Sequence, residues 1–280
     1  MKIGKYELSI IDSGYFLLDG GAMFGIIPKP LWEKTNPADD QNRIRLATRL
    51  LLLQSENRNI LIDTGLGDKW VEKLKSFYQI EKVELLKSDL AAKNLSFNDI
   101  TDVILTHLHF DHAGGATLLN NGKLEPAFPN AKYYVQKRNF EWAKNPTERD
   151  KGSYLQENFN ILIEEGVLNF NNEITQFDDE IELIPIDGHT IHQQLVKISD
   201  GTNTVLYCAD LFPTASHIPL PYIMGYDLQP LVTLEEKRKF LQKAMEEDWK
   251  LFLEHDPFHS FVTVKQANNR FLVKEKFDEF

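Results

Sequence analysis

Polar and apolar residues alternate over residues 6–12 and 15–18, and again over 44–54 and 59–63, which predicts strands that open the chain as a sheet. The spacing then turns helical over 69–78 and 83–94, where Trp70, Val71, Leu74 and Phe77, then Leu85, Leu86 and Leu90, recur every few positions. Ser96 with Asp99 has the pattern of a capping box. "DVILTH" at 102–107 reads as a short buried strand, and "GGATLL" after it as the start of a helix. Further on come a strand at 133–136, helices at 139–143 and 154–165, and a strand at 181–186 running into "DGHT". "QLVKISDGTNTVLYCAD" is a hairpin with Asp200-Gly201 at its turn. Thr233 with Glu236 predicts the cap of a helix running to about Asp248, and "KLFLEH" a strand ending at His255. An alternating pair at 261–266 and 270–277 closes the pattern.

Strands and helices so interleaved predict an α/β fold. No repeat or Gly/Ser linker marks a boundary, so a single domain over 1–280 is expected, with polar surface insertions at 33–42 and 144–153. The first residues read as a strand and not as a secretory signal, and the longest apolar stretch, around Leu50 to Leu53, is far short of the ~20 residues of a membrane-spanning helix. No membrane association is expected. A net charge of −11 without a basic stripe argues against nucleic acid. Cys208 is the one cysteine, so no internal disulfide forms and a cytoplasmic setting fits. Within "VLYCAD" that cysteine reads as core packing.

Three of the chain's eight histidines fall, with an aspartate, inside "THLHFDHAGG" at 106–115. In an extended segment residues two apart point the same way, so His107 and His109 present two imidazoles to one ion. Asp111 and His112 aim elsewhere, which makes a second, neighbouring ion geometrically feasible. Gly114-Gly115 allows a tight turn and keeps side chains out of the pocket. An isolated histidine pair is as often packed or solvated as it is a ligand. Here His189, Asp210 and His255 each arrive at the end of a predicted strand as well, which favours a metal centre.

This H-x-H-x-D-H run with a distant His, Asp and His resembles the metallo-β-lactamase superfamily. The resemblance implies a four-layer αβ/βα sandwich. It also implies that His107, His109 and His189 hold one ion, that Asp111, His112 and His255 hold another, and that Asp210 bridges them. "DGGAMFGIIPKPLW", "NRIRLATRLLLL", "ILIDTGLG" and "PTASHIPLPYIMGYDLQP" are similar to the lactonase-like branch that includes quorum-quenching N-acyl-homoserine lactonases. One departure is "GHTIHQQ" after the fourth ligand, which lacks that branch's frequent Pro-Gly turn.

Two divalent ions roughly 3.5–4 Å apart share a water and supply hydroxide near neutral pH. The expected reaction is attack of that bridging hydroxide on a lactone, with an ion stabilising the oxyanion and Asp111 carrying a proton to the leaving alkoxide. Zinc is the default metal, and manganese, iron or cobalt suit the same ligands. Asp63 in "IDTG" is either a carboxylate orienting a ligand or a turn residue before Gly65. Tyr222, a catalytic candidate, and Tyr226 are either hydroxyl donors to substrate or packing residues. His192, His217 and His259 complete no ligand spacing. Met23, Phe24, Ile26 and Trp32 form an apolar cluster that reads as core, the alternatives being an acyl-binding wall or the contact of a homodimer.

The expected substrate is a small lactone, N-acyl-homoserine lactones foremost. Phosphotriesters or aryl esters are the alternative, because the same ions and hydroxide attack phosphorus. A glyoxalase II-type thioesterase ranks lower, since the C-terminal region has no cationic cluster for a glutathione carboxylate. A non-catalytic metal-binding protein would be betrayed by a missing ligand, and none is missing.

Overall fold

In the computed structural model, which describes residues 1–279, the strands form two seven-stranded sheets and a separate two-stranded ribbon. The first sheet begins with β1 (Lys2–Ile3), β2 (Tyr6–Asp19), β3 (Arg43–Gln54), β4 (Asn59–Ile62) and β5 (Asp102–Ile104). The ribbon follows as β6 (Thr117–Asn120) and β7 (Lys123–Pro126), and then β8 (Lys132–Gln136) and β9 (Leu168–Asn171) complete the order β1-β2-β3-β4-β5-β8-β9. The second sheet keeps sequence order through β10 (Thr175–Gln176), β11 (Ile181–Ile186), β12 (Gln193–Ser199), β13 (Thr204–Tyr207), β14 (Lys250–Phe252), β15 (Phe261–Ala267) and β16 (Arg270–Phe277).

The run Leu50–Leu53 shows how the layers stack. Leu51 and Leu53 face inward, in the layer where Ile60, Ile62 and Ile104 of the first sheet meet Val196, Ile198 and Val205 of the second. Leu50 and Leu52 face outward, toward Leu86 and Leu90 of helix Leu85–Ala92 and Leu162 of helix Asn160–Glu164. A strand covered on both faces has no solvent position for a polar residue. Outside the second sheet, Phe240, Leu241 and Ala244 of helix Pro230–Glu246 cover Leu195, Leu206 and Leu251. This is the expected four-layer αβ/βα sandwich. Parallel pairing of β4 with β5 and of β13 with β14 sends the loops after these strands to one end of the molecule, and those loops carry the candidate ligands.

Several elements differ from the sequence expectation, each for a local reason. The two opening strands are one strand, β2, with a register shift between Asp12 and Tyr15. Of "GGATLL", Gly114–Ala116 makes one 3-10 turn, but from Thr117 the chain is ribbon and not helix: Asn121 (φ 51) and Gly122 (φ 80) form a two-residue turn of left-handed residues, the geometry that joins β6 to β7. Residues 154–165 are not one helix. Tyr154 (φ −108) and Phe159 (φ −143) leave the helical region so that both rings enter the core, and only Asn160–Glu164 is α-helical. Helix Pro230–Glu246 begins with proline in its first turn, ahead of Thr233, so Thr233 is no cap. Strand β14 stops at Phe252, because the chain crosses to β3 there: Ala47 N–H donates to His255 O at 3.1 Å and Arg49 N–H to Glu254 O at 3.1 Å. The hairpin at Asp200-Gly201, the Ser96–Asp99 capping box and the closing pair β15–β16 form as expected. Among the described residues no helix is long and apolar enough to cross a membrane.

Candidate metal centre

Asp63 follows β4 in a left-handed conformation (φ 59), and its carboxylate accepts from the backbone N–H of Thr106 at 2.6 Å and from the Thr106 hydroxyl at 2.7 Å. Both readings of Asp63 therefore hold: it turns the chain, and it ties that turn to the start of the histidine segment. Gly114 and Gly115 serve differently than expected. Gly114 is in the ordinary helical region (φ −59), but a Cβ there would sit 2.1 Å from Leu66 O, and one at Gly115 2.2 Å from Thr64 O. They allow the loop after His112 to lie directly on the loop after Asp63. The "GHTIHQQ" loop is braced without a Pro-Gly turn: His192 takes φ 50, and its N–H donates to Asp187 Oδ1 at 2.9 Å. The Glu236 carboxylate accepts from the N–H groups of Asp187 (2.8 Å) and Gly188 (3.0 Å), so the residue expected in a capping box holds the His189 loop instead.

Hydrogen bonds at the outer nitrogens fix most of the imidazoles. His107 Nδ1 lies 3.1 Å from Thr106 Oγ1, His189 Nδ1 2.9 Å from Asp227 Oδ1, and His255 Nδ1 2.8 Å from Ala47 O. His112 Nδ1 faces two carboxylates, Asp63 Oδ2 at 3.0 Å and Glu254 Oε2 at 3.1 Å. With protons on these outer atoms, each inner nitrogen is left free to take either a second proton or an ion.

The inner atoms form two adjoining sets. In one, His107 Nε2 is 3.0 Å and His189 Nε2 3.1 Å from His109 Nδ1, while Asp210 Oδ2 is 3.0 Å from His189 Nε2 and 3.8 Å from His107 Nε2. In the other, His112 Nε2 is 3.1 Å from His255 Nε2, which lies 3.2 Å from Asp210 Oδ1 and 3.7 Å from Asp111 Oδ2. Lone pairs turned toward each other at this spacing repel unless a cation lies between them. Donors on a tetrahedron of radius about 2.0–2.1 Å sit about 3.3 Å apart, so the spacing of both sets suits a divalent ion, and Asp210 turns one oxygen toward each set. The structure thus brings together His107, His109, Asp111, His112, His189, Asp210 and His255, all buried.

The charges support the same reading. Burial lowers the pKa of His189, but Asp210 and Asp227 outweigh it and raise the group to about 10; His255 rises to about 9 in the same way, chiefly through Asp210. Burial and the neighbouring imidazoles push His107 and His109 well below the usual histidine range. Burial works to raise Asp210, yet His189, His112 and His255 hold it well below the usual carboxylate range. Ions bind in competition with these protons, so uptake weakens in acid.

His109, Asp111, His189, Asp210 and His255 open onto a cleft of about 570 Å³, whose wall joins Leu18, Met23, Leu46 and Met224 with the charged Asp19, Arg43 and Arg149. The early apolar cluster divides here. Met23 lines the cleft, Phe24 is stacked behind it between Trp32 and His217, and Ile26 points away at 91% exposure. Tyr222 is a correction. It lies outside the cleft, in a separate groove with Leu31 and Ser216, because Lys237 pins its loop through the carbonyls of His217 (2.6 Å), Pro219 (3.0 Å) and Tyr222 (2.6 Å). His217 is buried against Phe24, His192 meets Arg138 and His259 meets Asp278, so none joins the ligand sets. Sequence reasoning missed Asp227 and Glu254. Both were visible as carboxylates, one next to His255 and one inside "PYIMGYDLQP", but the imidazoles they face lie far away in sequence.

Cys208 is fully buried and burial pushes its thiol well above the usual range. Cys208→Ala should keep most hydrolytic activity and lose about 1 kcal/mol of stability. Loss of activity in a folded, metal-loaded variant would show that the thiol takes part.

The profile of the Metallo-beta-lactamase superfamily matches residues 45–260. A protein named N-acyl homoserine lactonase from a Bacillus species is 27% identical over 222 residues, covering 73% of this chain and 79% of that relative. Among solved structures, a probable metal-dependent hydrolase from Staphylococcus aureus aligns with a TM-score of 0.91 at 28% identity, covering 99% of this chain and 98% of that one. AidC, a dizinc quorum-quenching lactonase, shares the fold with a TM-score of 0.81 at 24% identity, covering 98% of this chain and 95% of its own.

Proposed function

Since this chain belongs to the metallo-β-lactamase superfamily and is a metallo-hydrolase, we propose that it opens lactone rings, N-acyl-homoserine lactones foremost, at a two-ion centre. The observation that carries this reading is the convergence of buried donors on a cleft whose wall includes the apolar side chains of Leu18, Met23, Leu46 and Met224. His107, His109 and His189 would hold one ion, Asp111, His112 and His255 the other, and Asp210 would serve both. Because these ligands come from loops of both sheets, the whole chain acts as one domain, and a cytoplasmic setting suits it. Two divalent ions, zinc by preference, supply a water of lowered pKa and an electrophile for the carbonyl oxygen. The naming of relatives as N-acyl homoserine lactonases supports the substrate class, and the dizinc lactonase of the same fold supports the metal.

The chain's own residues do the rest. Asp111 lines the cleft beside His255 and would take the proton given up by the attacking water and pass it to the ring oxygen as the acyl C–O bond breaks. Tyr226, which lines the cleft where Tyr222 does not, takes the substrate-binding role. Leu18, Met23, Leu46 and Met224 keep water from the acyl chain.

A hydrolysis panel with metal-loaded protein tests this: N-acyl-homoserine lactones of increasing chain length, aryl esters, a phosphotriester and S-lactoylglutathione. Lactones should be cleaved fastest, with kcat/KM rising up to about fourfold per methylene until the wall is filled, since each buried methylene contributes about 0.8 kcal/mol. A flat profile would remove the acyl wall. Rapid phosphotriester cleavage without lactone opening would transfer the assignment to phosphotriesterase.

A further inference from the structure

Every histidine of the centre has a hydrogen-bond partner at its outer nitrogen except His109. Its Nε2 is buried and has no partner among the described residues. A metal-binding imidazole is normally held in orientation from that side. Outside the ligand set, the ring that packs on His109 among the described residues is Tyr154, edge-on, with centroids 4.7 Å apart and an interplanar angle of 62°. The Tyr154 hydroxyl lies 2.6 Å from Thr190 Oγ1, and Thr190 is buried directly after His189. The same loop reaches the His189 side a second time, where Arg149 donates to Gly225 O at 2.6 Å and Asp227 O at 3.4 Å, in the segment whose carboxylate fixes His189. The other half of the centre is held differently. His112 is fixed by Asp63 and Glu254, and His255 by the backbone of β3.

We propose that Tyr154, through its ring, is a positioning residue for His109, so that the loop 149–154 governs one ion and leaves the other to the two sheets. The proposal rests on the reading of these histidines as ligands. The surface insertion expected from its polar composition thereby acts as a strap over one half of the site. Tyr154 restrains by ring packing an imidazole whose fellow ligands are held by hydrogen bonds to a hydroxyl, carboxylates or a carbonyl.

The test is Co2+ titration of metal-free protein, followed by the cobalt visible spectrum, in wild type, Tyr154→Leu and Tyr154→Phe. Wild type should bind two ions. Tyr154→Leu should weaken one ion by about 10–100-fold, with a changed spectrum for that ion, and leave the other unchanged. Tyr154→Phe keeps the ring and should restore affinity and spectrum to near the wild-type values. Tyr154→Met, which fills the volume without an aromatic edge, carries the same expectation as leucine should that variant not fold. Equal weakening of both ions, or of neither, overturns the strap. A Phe variant as impaired as the Leu or Met variant overturns the role of the ring. Wild type binding a single ion would overturn the two-ion reading itself, an outcome visible before any variant is compared.

Discussion

Asp210→Ala should lower hydrolytic turnover by roughly 10²–10³-fold or more, the scale seen when a group that organises charge at a reacting centre is deleted. The two oxygens of Asp210 face different halves of the site, Oδ2 at 3.0 Å from His189 Nε2 and Oδ1 at 3.2 Å from His255 Nε2. Alanine leaves one half with imidazoles alone and the other with a single carboxylate, so neither ion keeps its full ligand set. The fold should survive, because the residue sits in a short turn after β13 (Ala209–Leu211) and its side chain supports no backbone group. Steady-state kinetics with circular dichroism on the metal-loaded variant check this, and near wild-type turnover would refute the shared-ligand role.

Stripping both ions with a chelator should lower the melting temperature by on the order of 10 °C per ion, and refilling should restore it. An ion present at a thousand times its Kd stabilises the native state by about 4 kcal/mol. Each kcal/mol moves Tm by about 2–4 °C in a chain somewhat smaller than this one. The physical source is the packing of imidazoles and carboxylates in a fully buried cluster, where ions relieve the repulsion of converging lone pairs. Thermal scans before chelation, after it and after metal return would show the shift; an unchanged Tm would mean that the cluster is satisfied without ions.

Much of this was legible in the sequence because the information is local. The ligand run from His107 to His112 depends on backbone directions within a few residues, and the alternation of Leu50–Leu53 between two cores follows from the pleat of one strand. The Asn121-Gly122 turn is equally local, and it limits the helical start at Gly114–Ala116 to a single turn. What stayed hidden depends on residues distant in sequence. Tyr154 becomes important only when its ring reaches His109, Asp227 only when it meets His189, and Glu254 only when it meets His112. Thr233 and Glu236 illustrate the same limit. Their capping-box spacing is real, yet Thr233 donates to Asp227 at 2.8 Å and Glu236 holds the backbone at Asp187 and Gly188. Tyr222 and Tyr226 were equivalent in sequence, and only the loop pinned by Lys237 separates them.

The claim on which the rest depends is that one chain holds two ions at a shared carboxylate. Elemental analysis of purified protein, made on the same preparation whose lactone hydrolysis is measured, tests it most directly. Close to two divalent ions per chain is expected in fully active protein. One ion per chain that does not rise with added metal, at full activity, would contradict the two-ion centre.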